Sequence, residues 1–218
     1  MQRQWGSLRE FFDELNLQCY YVVLRNFDYL PEKYKCELHG DIDILTDDVN
    51  KMVDVTGAKK TALKRYRTHY VCRIGDKDVE FDFRYIGDGY YCKKWEKDIL
   101  KNRIMNDSGI YIPNDEDYKY TILYHALVHK KEIAADYCKI ITAIFGENPM
   151  ELIEHLKKYI KDNNYKFSQP YDLSVVFNFR NIPVILTPRR FIYRFYLDIS
   201  MRSRYKWSVI RQKIRAEE

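Results

Sequence analysis

The stretch HGDIDIL, residues 39 to 45, alternates Asp41 and Asp43 with Ile42 and Ile44. Isoleucine favours a strand, and a strand sends successive side chains to opposite faces. Ile42 and Ile44 are therefore expected to face a core, with the two aspartates together on the other face. Carboxylates side by side repel each other, and a divalent cation offsets that repulsion. Mg²⁺ takes oxygen ligands, usually one or two carboxylates plus substrate phosphates. Two such ions about 4 Å apart can activate an attacking oxygen and stabilise the leaving one. A third carboxylate is offered by VEFDFRY, residues 79 to 85, where Val79, Phe81 and Phe83 alternate with Glu80, Asp82 and Arg84. Laid beside GDIDIL, that strand lets Asp82, or Glu80 on the same face, complete a triad with Asp41 and Asp43. The competing reading is a solvated acidic strand face, which a lone DxD often is.

Several elements must hold these residues. SLREFFDELN, residues 7 to 16, has the pattern of a short amphipathic helix, with Ser7 as cap and Glu10 completing a capping box. CYYVVLRNF, 19 to 27, reads as a buried strand that precedes GDIDILT. Residues 47 to 64 read as helical, with a break near Gly57. THYVCRIG and DVEFDFRYI form a hairpin-like pair around a turn at Asp76-Lys77. After Gly87-Asp88-Gly89 the pattern becomes helical. Asn114 caps a helix with acidic residues in its first turn, a second helix runs from about 131 to Phe145, and Asn148-Pro149 opens a third. The expected class is α+β: a mixed sheet with flanking helices over residues 1–91, then a helical domain over 92–218 with a basic, aromatic-rich tail.

Bulk properties narrow the classes. The 218 residues suffice for a sizeable core, and 46% hydrophobic with 32% charged content reads as globular rather than disordered. The net charge of +5 suits anions but is too small to demand nucleic acid. Five scattered cysteines without a CxxC pair argue against a disulfide framework or a structural zinc site, and for reduced thiols in a cytoplasmic location. The N-terminal MQRQWGSLREFF lacks a signal-peptide core, and no apolar run approaches the roughly 20 residues of a membrane span. Twenty tyrosines would suit a groove for a polar ligand or a sugar.

Other residues have competing readings. His39 can touch a phosphate or sit on a surface loop. Arg84 can pair with a carboxylate or with substrate phosphate. Asp88, in GDGYY, reads first as a turn residue that also frames the pocket. His125 and His129 share a helix face, but without an HExxH glutamate or a third ligand they do not spell zinc. They serve as packing at the core edge or, with Lys130, as substrate contacts. The tail IYRFYLDISMRSRYKWSVIRQKIR can pack on its own domain, lie on a membrane surface or bind a phosphate-rich polymer.

The DID of residues 41 to 43 followed by the FDF of 81 to 83 resembles the nucleotidyltransferase superfamily typified by DNA polymerase β. That superfamily carries a D-h-D strand (h apolar) and then an h-D-h strand, and its small members add a helical domain. YVVLRNFDYLP, HGDIDILTDD, FDFRYIGDGYY, KWEKDIL and YHALVHK also look like a little-characterised subgroup linked to glycan and surface-polysaccharide biosynthesis. The resemblance implies a nucleotidyltransferase-type sheet, and Mg²⁺ or Mn²⁺ held by Asp41, Asp43 and Asp82, with Glu80 as the alternative third ligand. Asp82 would bind the ion that activates the acceptor hydroxyl, or act as its general base. The chain departs from the pattern where a Gly-Ser or Gly-Gly pair usually holds the phosphates. Here stand Leu24-Arg25-Asn26 and, before Asp41, only Gly40. Arg25 can replace backbone amides on phosphate oxygens, with Asn26, Gly40, Arg84 and Lys130 as further phosphate contacts.

The function so implied is metal-dependent transfer of a nucleotidyl or phosphoryl group from a nucleoside triphosphate to a hydroxyl of a small molecule or glycan. The first rival is a glycosyltransferase whose DxD holds the metal of a nucleotide sugar; only about forty residues precede the motif, too few for the βα units that usually come first. The second is a degenerate nucleotidyltransferase fold acting as a binding module. The third is a nucleic-acid-binding protein that uses the basic tail.

Overall fold

A computed structural model describes residues 3–32, 40–61, 68–130, 132–170, 172, 175, 178 and 181. His39, the tail from residue 189 and the stretch 62–67 lie outside them. At the N-terminus, the strand Gln4–Trp5 (β1) leads into the helix Leu8–Gln18 (α1). Ser7 caps it as expected, its hydroxyl accepting from Glu10 N at 3.2 Å. The reciprocal bond departs slightly from the capping box: Glu10 Oε2 accepts from Gly6 N at 2.8 Å, one residue upstream of the cap.

The strands Tyr21–Val23 (β2), Asp41–Thr46 (β3), Lys59–Lys60 (β4), His69–Ile74 (β5) and Lys77–Tyr85 (β6) complete a six-stranded mixed sheet. Its order is β1-β5-β6-β3-β2, with β4 also on β5. β3 and β6 are parallel, with Asp43 opposite Asp82 and Asp41 opposite Glu80. β5 and β6 are antiparallel, with His69 opposite Asp82. β2 is shorter than the run CYYVVLRNF suggested, because the chain bends at Arg25 and Asn26 takes a left-handed φ of 58°. The helix Val49–Thr56 (α2) stops at Gly57, whose φ of 64° ends it in the left-handed conformation. Residues 59–60, expected to be helical, are strand instead, because Lys59 and Lys60 pair with Val71 and Tyr70. The hairpin turn falls on Gly75-Asp76, not Asp76-Lys77, with Ile74 paired to Lys77.

One sheet face is apolar. Ile42, Ile44, Val79, Phe81 and Phe83 pack there against Leu8, Phe11, Phe12 and Leu15 of α1 and Met52 and Val55 of α2. Phe11 stacks on Phe81 with centroids 4.8 Å apart. This row of large buried side chains, each worth about 2 kcal/mol or more, fixes the strand faces. A one-residue slip would send the acids into the core.

The other face is covered too. The helix Lys93–Lys101 (α3) packs on β2 and β3, followed by a short pair, Ile104–Met105 (β7) with Tyr111–Ile112 (β8). Next comes the helix Asp115–Val128 (α4), capped by Asn114 as expected. Then follow the helix Ala135–Phe145 (α5), a 3₁₀ turn Pro149–Leu152 and the helix Ile153–Asp162 (α6). α5 starts later than the pattern suggested. Trp95 Nε1 ties α3 to α4 by donating to Asp117 Oδ1 at 3.0 Å. Tyr91, Tyr124 and Tyr159 pack around Trp95, so these tyrosines build core rather than an open groove. Asn178 N and Asn181 Nδ2 satisfy the last carbonyls of α4, at Val128 and Leu127, and Asn178 Nδ2 donates to Lys130 O just beyond it. The chain up to Asn181 forms one compact unit. Among the described residues no helix is long and apolar enough to cross a membrane.

Candidate functional site

The charged row on the second sheet face starts with Asp43 and Asp82, directly opposite one another on parallel strands. Both are buried, so neither is the solvated strand-face acid of the competing reading. Each carboxylate meets a buried guanidinium. Leu24 N donates to Asp43 O at 2.9 Å, which keeps the chain beside β3 as it bends. Arg25 Nη2 then reaches Asp43 Oδ1 at 2.6 Å, and both side chains are under a tenth exposed. Asp82 Oδ1 contacts His69 Nδ1, and Asp82 Oδ2 accepts from Arg84 Nη2 at 3.1 Å.

These surroundings push the two carboxyls apart. Burial raises Asp43 to about 6, with Arg25 opposing and the charges of Asp41 and Asp82 adding to the rise. Asp82 lies below the ordinary carboxylate value. Burial works against that, but the hydrogen bond from His69 and the charge of Arg84 outweigh it. Asp41 is half-buried and more open than Asp43.

Arg84 is shared. It faces Asp82, Asp88 Oδ2 at 3.6 Å and Asp172 Oδ2 at 3.9 Å, and its guanidinium lies 4.0 Å from the centre of the Tyr90 ring. The turn that carries Tyr90 is tied down by acids. Asp88 Oδ1 accepts from Tyr90 N at 2.7 Å, and Glu96 accepts from Gly87 N at 2.6 Å and from Tyr91 N at 3.2 Å. Burial, with Asp88 beside it, pushes Glu96 up to about 8. Gly89, at φ 82°, has no room for a side chain: a Cβ there would meet Gln169 O at 2.3 Å.

Behind Tyr90 sit His125 and His129, both buried. Tyr90 O–H is hydrogen-bonded to His125 Nδ1. Burial, with Arg25 and Arg84 nearby, holds both imidazoles well below the ordinary histidine value, so they are neutral. They are polar core, set behind the charged row. Lys130 follows α4 and is half-buried, within electrostatic reach of Arg25, Asp43 and Asp41; burial and Arg25 lower its pKa. Asn26 Nδ2 is buried and makes no hydrogen bond among the described residues. Gly40 is exposed, and a Cβ on it would come no closer than 4.0 Å to Glu80 Oε2. Glu80, opposite Asp41, is exposed.

Among the described residues, donor atoms of Asp41, His69 and Asp82 lie within 4.8 Å of one another. Two carboxylates and an imidazole from three neighbouring strands fit a divalent cation. Asp43 is not in this group, and its Oδ1 is taken by Arg25. The structure thus brings together Asp41, Asp43, Asp82, Arg25, Arg84 and Lys130 from the sequence reading. It adds His69, Tyr90, Glu96 and Asp172, which that reading did not single out. Asp172 Oδ2 accepts from Thr68 Oγ1 at 3.3 Å. Nothing in the local sequence around Asp172 marks it, since only the folded chain places it beside Arg84.

Comparison with protein-family models, with curated proteins and with solved structures gives no match.

Proposed function

We propose that the chain is a metal-dependent transferase with a nucleotidyltransferase-type sheet. It would move a nucleotidyl or phosphoryl group from a nucleoside triphosphate to a hydroxyl of a small molecule or glycan. The observation that carries this reading is the opposition of Asp43 to Asp82 on parallel strands, with Asp41 and His69 beside them and half-buried Lys130 within electrostatic reach. A divalent cation held by Asp41 and Asp82 would neutralise phosphate oxygens and favour ionisation of the attacking hydroxyl.

The remaining work falls to the chain's own groups, and phosphoryl transfer asks mainly for positioning and charge neutralisation. Lys130 supplies a cation facing Asp41 and Asp43. Asn26 Nδ2, which makes no hydrogen bond among the described residues, supplies a donor one residue from Arg25. Arg84, braced by Tyr90 and its acids, fixes Asp82 in the ionised state. His69 is partly exposed and lies with its Nδ1 against Asp82 Oδ1.

One observation favours a second reading. Arg25 closes on Asp43 and occupies a carboxylate oxygen that the superfamily pattern gives to metal. A binding module derived from such a fold would keep the charge row and lose the transfer step.

Calorimetric titration of nucleoside triphosphates with Mg²⁺ or Mn²⁺, on wild type and Asp41→Asn, tests the choice. Metal-dependent binding that Asp41→Asn abolishes, followed by pyrophosphate or diphosphate release with an acceptor, supports the transferase. Binding without turnover across a panel of glycan and small-molecule acceptors supports the binding module. No metal-dependent triphosphate binding defeats the transferase reading.

A further inference from the structure

We infer that the cation of this site is held by Asp41, His69 and Asp82 rather than by three carboxylates, and that it is a first-row transition ion of the Mn²⁺ class in preference to Mg²⁺. The inference rests on the transferase reading only for the location of the site; the ligand set follows from geometry.

The strand register shifts the donor set by one strand. A D-h-D strand beside an h-D-h strand would offer Asp41, Asp43 and Asp82. Here Asp43 is committed: Arg25 sits on its Oδ1 at 2.6 Å, and both side chains are buried. On the other side of Asp82, β5 presents His69 as the cross-strand partner, with its side chain 31% exposed. Asp41 and His69 are partly exposed with Asp82 buried behind them, and the donor atoms of the three lie within 4.8 Å of one another.

Charge points the same way. Asp41, Asp43, Asp82, Asp88 and Asp172 share the cations Arg25, Arg84 and Lys130. Among these groups the carboxylates outnumber the cations, an excess that a divalent ion would offset. The choice of ion follows from the imidazole. Mg²⁺ binds oxygen and keeps much of its water, whereas imidazole suits Fe, Ni, Cu and Zn; Mn²⁺ shares the carboxylate preference of Mg²⁺ but gives up its water more readily and accepts a nitrogen beside two carboxylates.

The test uses the full chain with MnCl₂ and MgCl₂ alone, without nucleotide. Pulsed electron paramagnetic resonance on bound Mn²⁺ reports a directly coordinated nitrogen. We expect one Mn²⁺ per chain with a nitrogen coupling, and Mg²⁺ displacing it only in large excess. His69→Ala should lose the nitrogen coupling and weaken Mn²⁺ binding by about 100-fold, at or above the cost of losing a mere supporting partner. The double variant Arg25→Met/Asp43→Asn, which leaves no unpaired charge behind, should retain the nitrogen-coupled Mn²⁺. Oxygen-only coordination in wild type, equal affinity for Mg²⁺, or loss of Mn²⁺ in the double variant with a native circular dichroism spectrum would each overturn the inference. So would absence of Mn²⁺ binding at millimolar concentration. A nitrogen-coupled Mn²⁺ in a protein that ignores triphosphates upholds the site and sinks the transferase reading. Triphosphate binding with oxygen-only metal does the reverse.

Discussion

Arg25 Nη2 and Asp43 Oδ1 meet at 2.6 Å beneath the surface of the site, and neither side chain is more than a tenth exposed. The pair works as a unit, because each member removes the reason the other would be costly to bury. Breaking a buried pair costs about 3–5 kcal/mol, whereas replacing both members by uncharged groups is often neutral. Arg25→Met and Asp43→Asn, each alone, are therefore expected to lose stability in that range in chemical denaturation. The double variant should lose much less than the sum of the two, and a sum of the single losses would show that the pair does not act as a unit.

Glu96 gives the protein a distinct alkaline weakness. Its folded-state pKa, about 8, lies above its ordinary 4.5, so the folded chain holds the proton longer than the unfolded chain. The stabilisation is complete below pH 4.5 and is lost as pH rises through 8. The thermal midpoint should fall as pH rises from about 4.5 to 8 by an amount equivalent to a few kcal/mol, and Glu96→Gln should flatten that slope. An unchanged slope in the variant would assign the pH dependence to other groups. At neutral pH the variant also loses an acceptor for Gly87 N or Tyr91 N, a cost of about 1 kcal/mol.

Lys130 separates binding from folding. It is half-buried beside Asp41 and Asp43 but belongs to no hydrophobic cluster of the sheet. Lys130→Ala should weaken triphosphate binding about tenfold, as loss of a hydrogen bond to a charged group does, while the melting temperature stays nearly constant. Unchanged triphosphate affinity, measured by calorimetry, would remove Lys130 from the phosphate site.

Gly89 is expected to tolerate no substitution. Its φ of 82° disfavours any side chain, and Gln169 O stands 2.3 Å from where a Cβ would be. Gly89→Ala should destabilise the fold by more than about 1 kcal/mol, with strain and displacement of the 169–170 backbone acting together. A melting temperature equal to wild type would show that this contact is relaxed in solution.

Much of the site could be read from the sequence because strand alternation is a local property. Ile42 and Ile44 against Asp41 and Asp43, and Phe81 and Phe83 against Asp82, fix which face each residue takes. His69 escaped for a reason that can be counted. With the hairpin turn at Gly75-Asp76, Ile74 pairs with Lys77 and His69 falls opposite Asp82. A turn placed one residue later slides the partner by two positions, and His69 would then face Arg84. Burial of Asp43 was also hidden, because it depends on α3 and the Tyr90 turn closing over the second face. Residues 59–60 showed the reverse, a tertiary pairing with β5 overriding a helical local pattern. Glu96 and Asp172 act through partners brought close by the fold alone, and no local pattern announces them.

The parallel pairing of β3 with β6 also sets an order of assembly. A hairpin forms its register through its own turn, so β5 and β6 can bring His69 to Asp82 from nearby sequence. β3 has no such turn to β6, and parallel neighbours need a long crossover, here running through α2, β4 and β5. The His69–Asp82 half of the site is thus available before Asp43 arrives, and β3 must dock its acids against a charge already in place. In refolding followed by hydrogen exchange, amides of β5 and β6 should gain protection ahead of those of β3, and a divalent ion that bridges Asp41 to the waiting pair should shorten the interval.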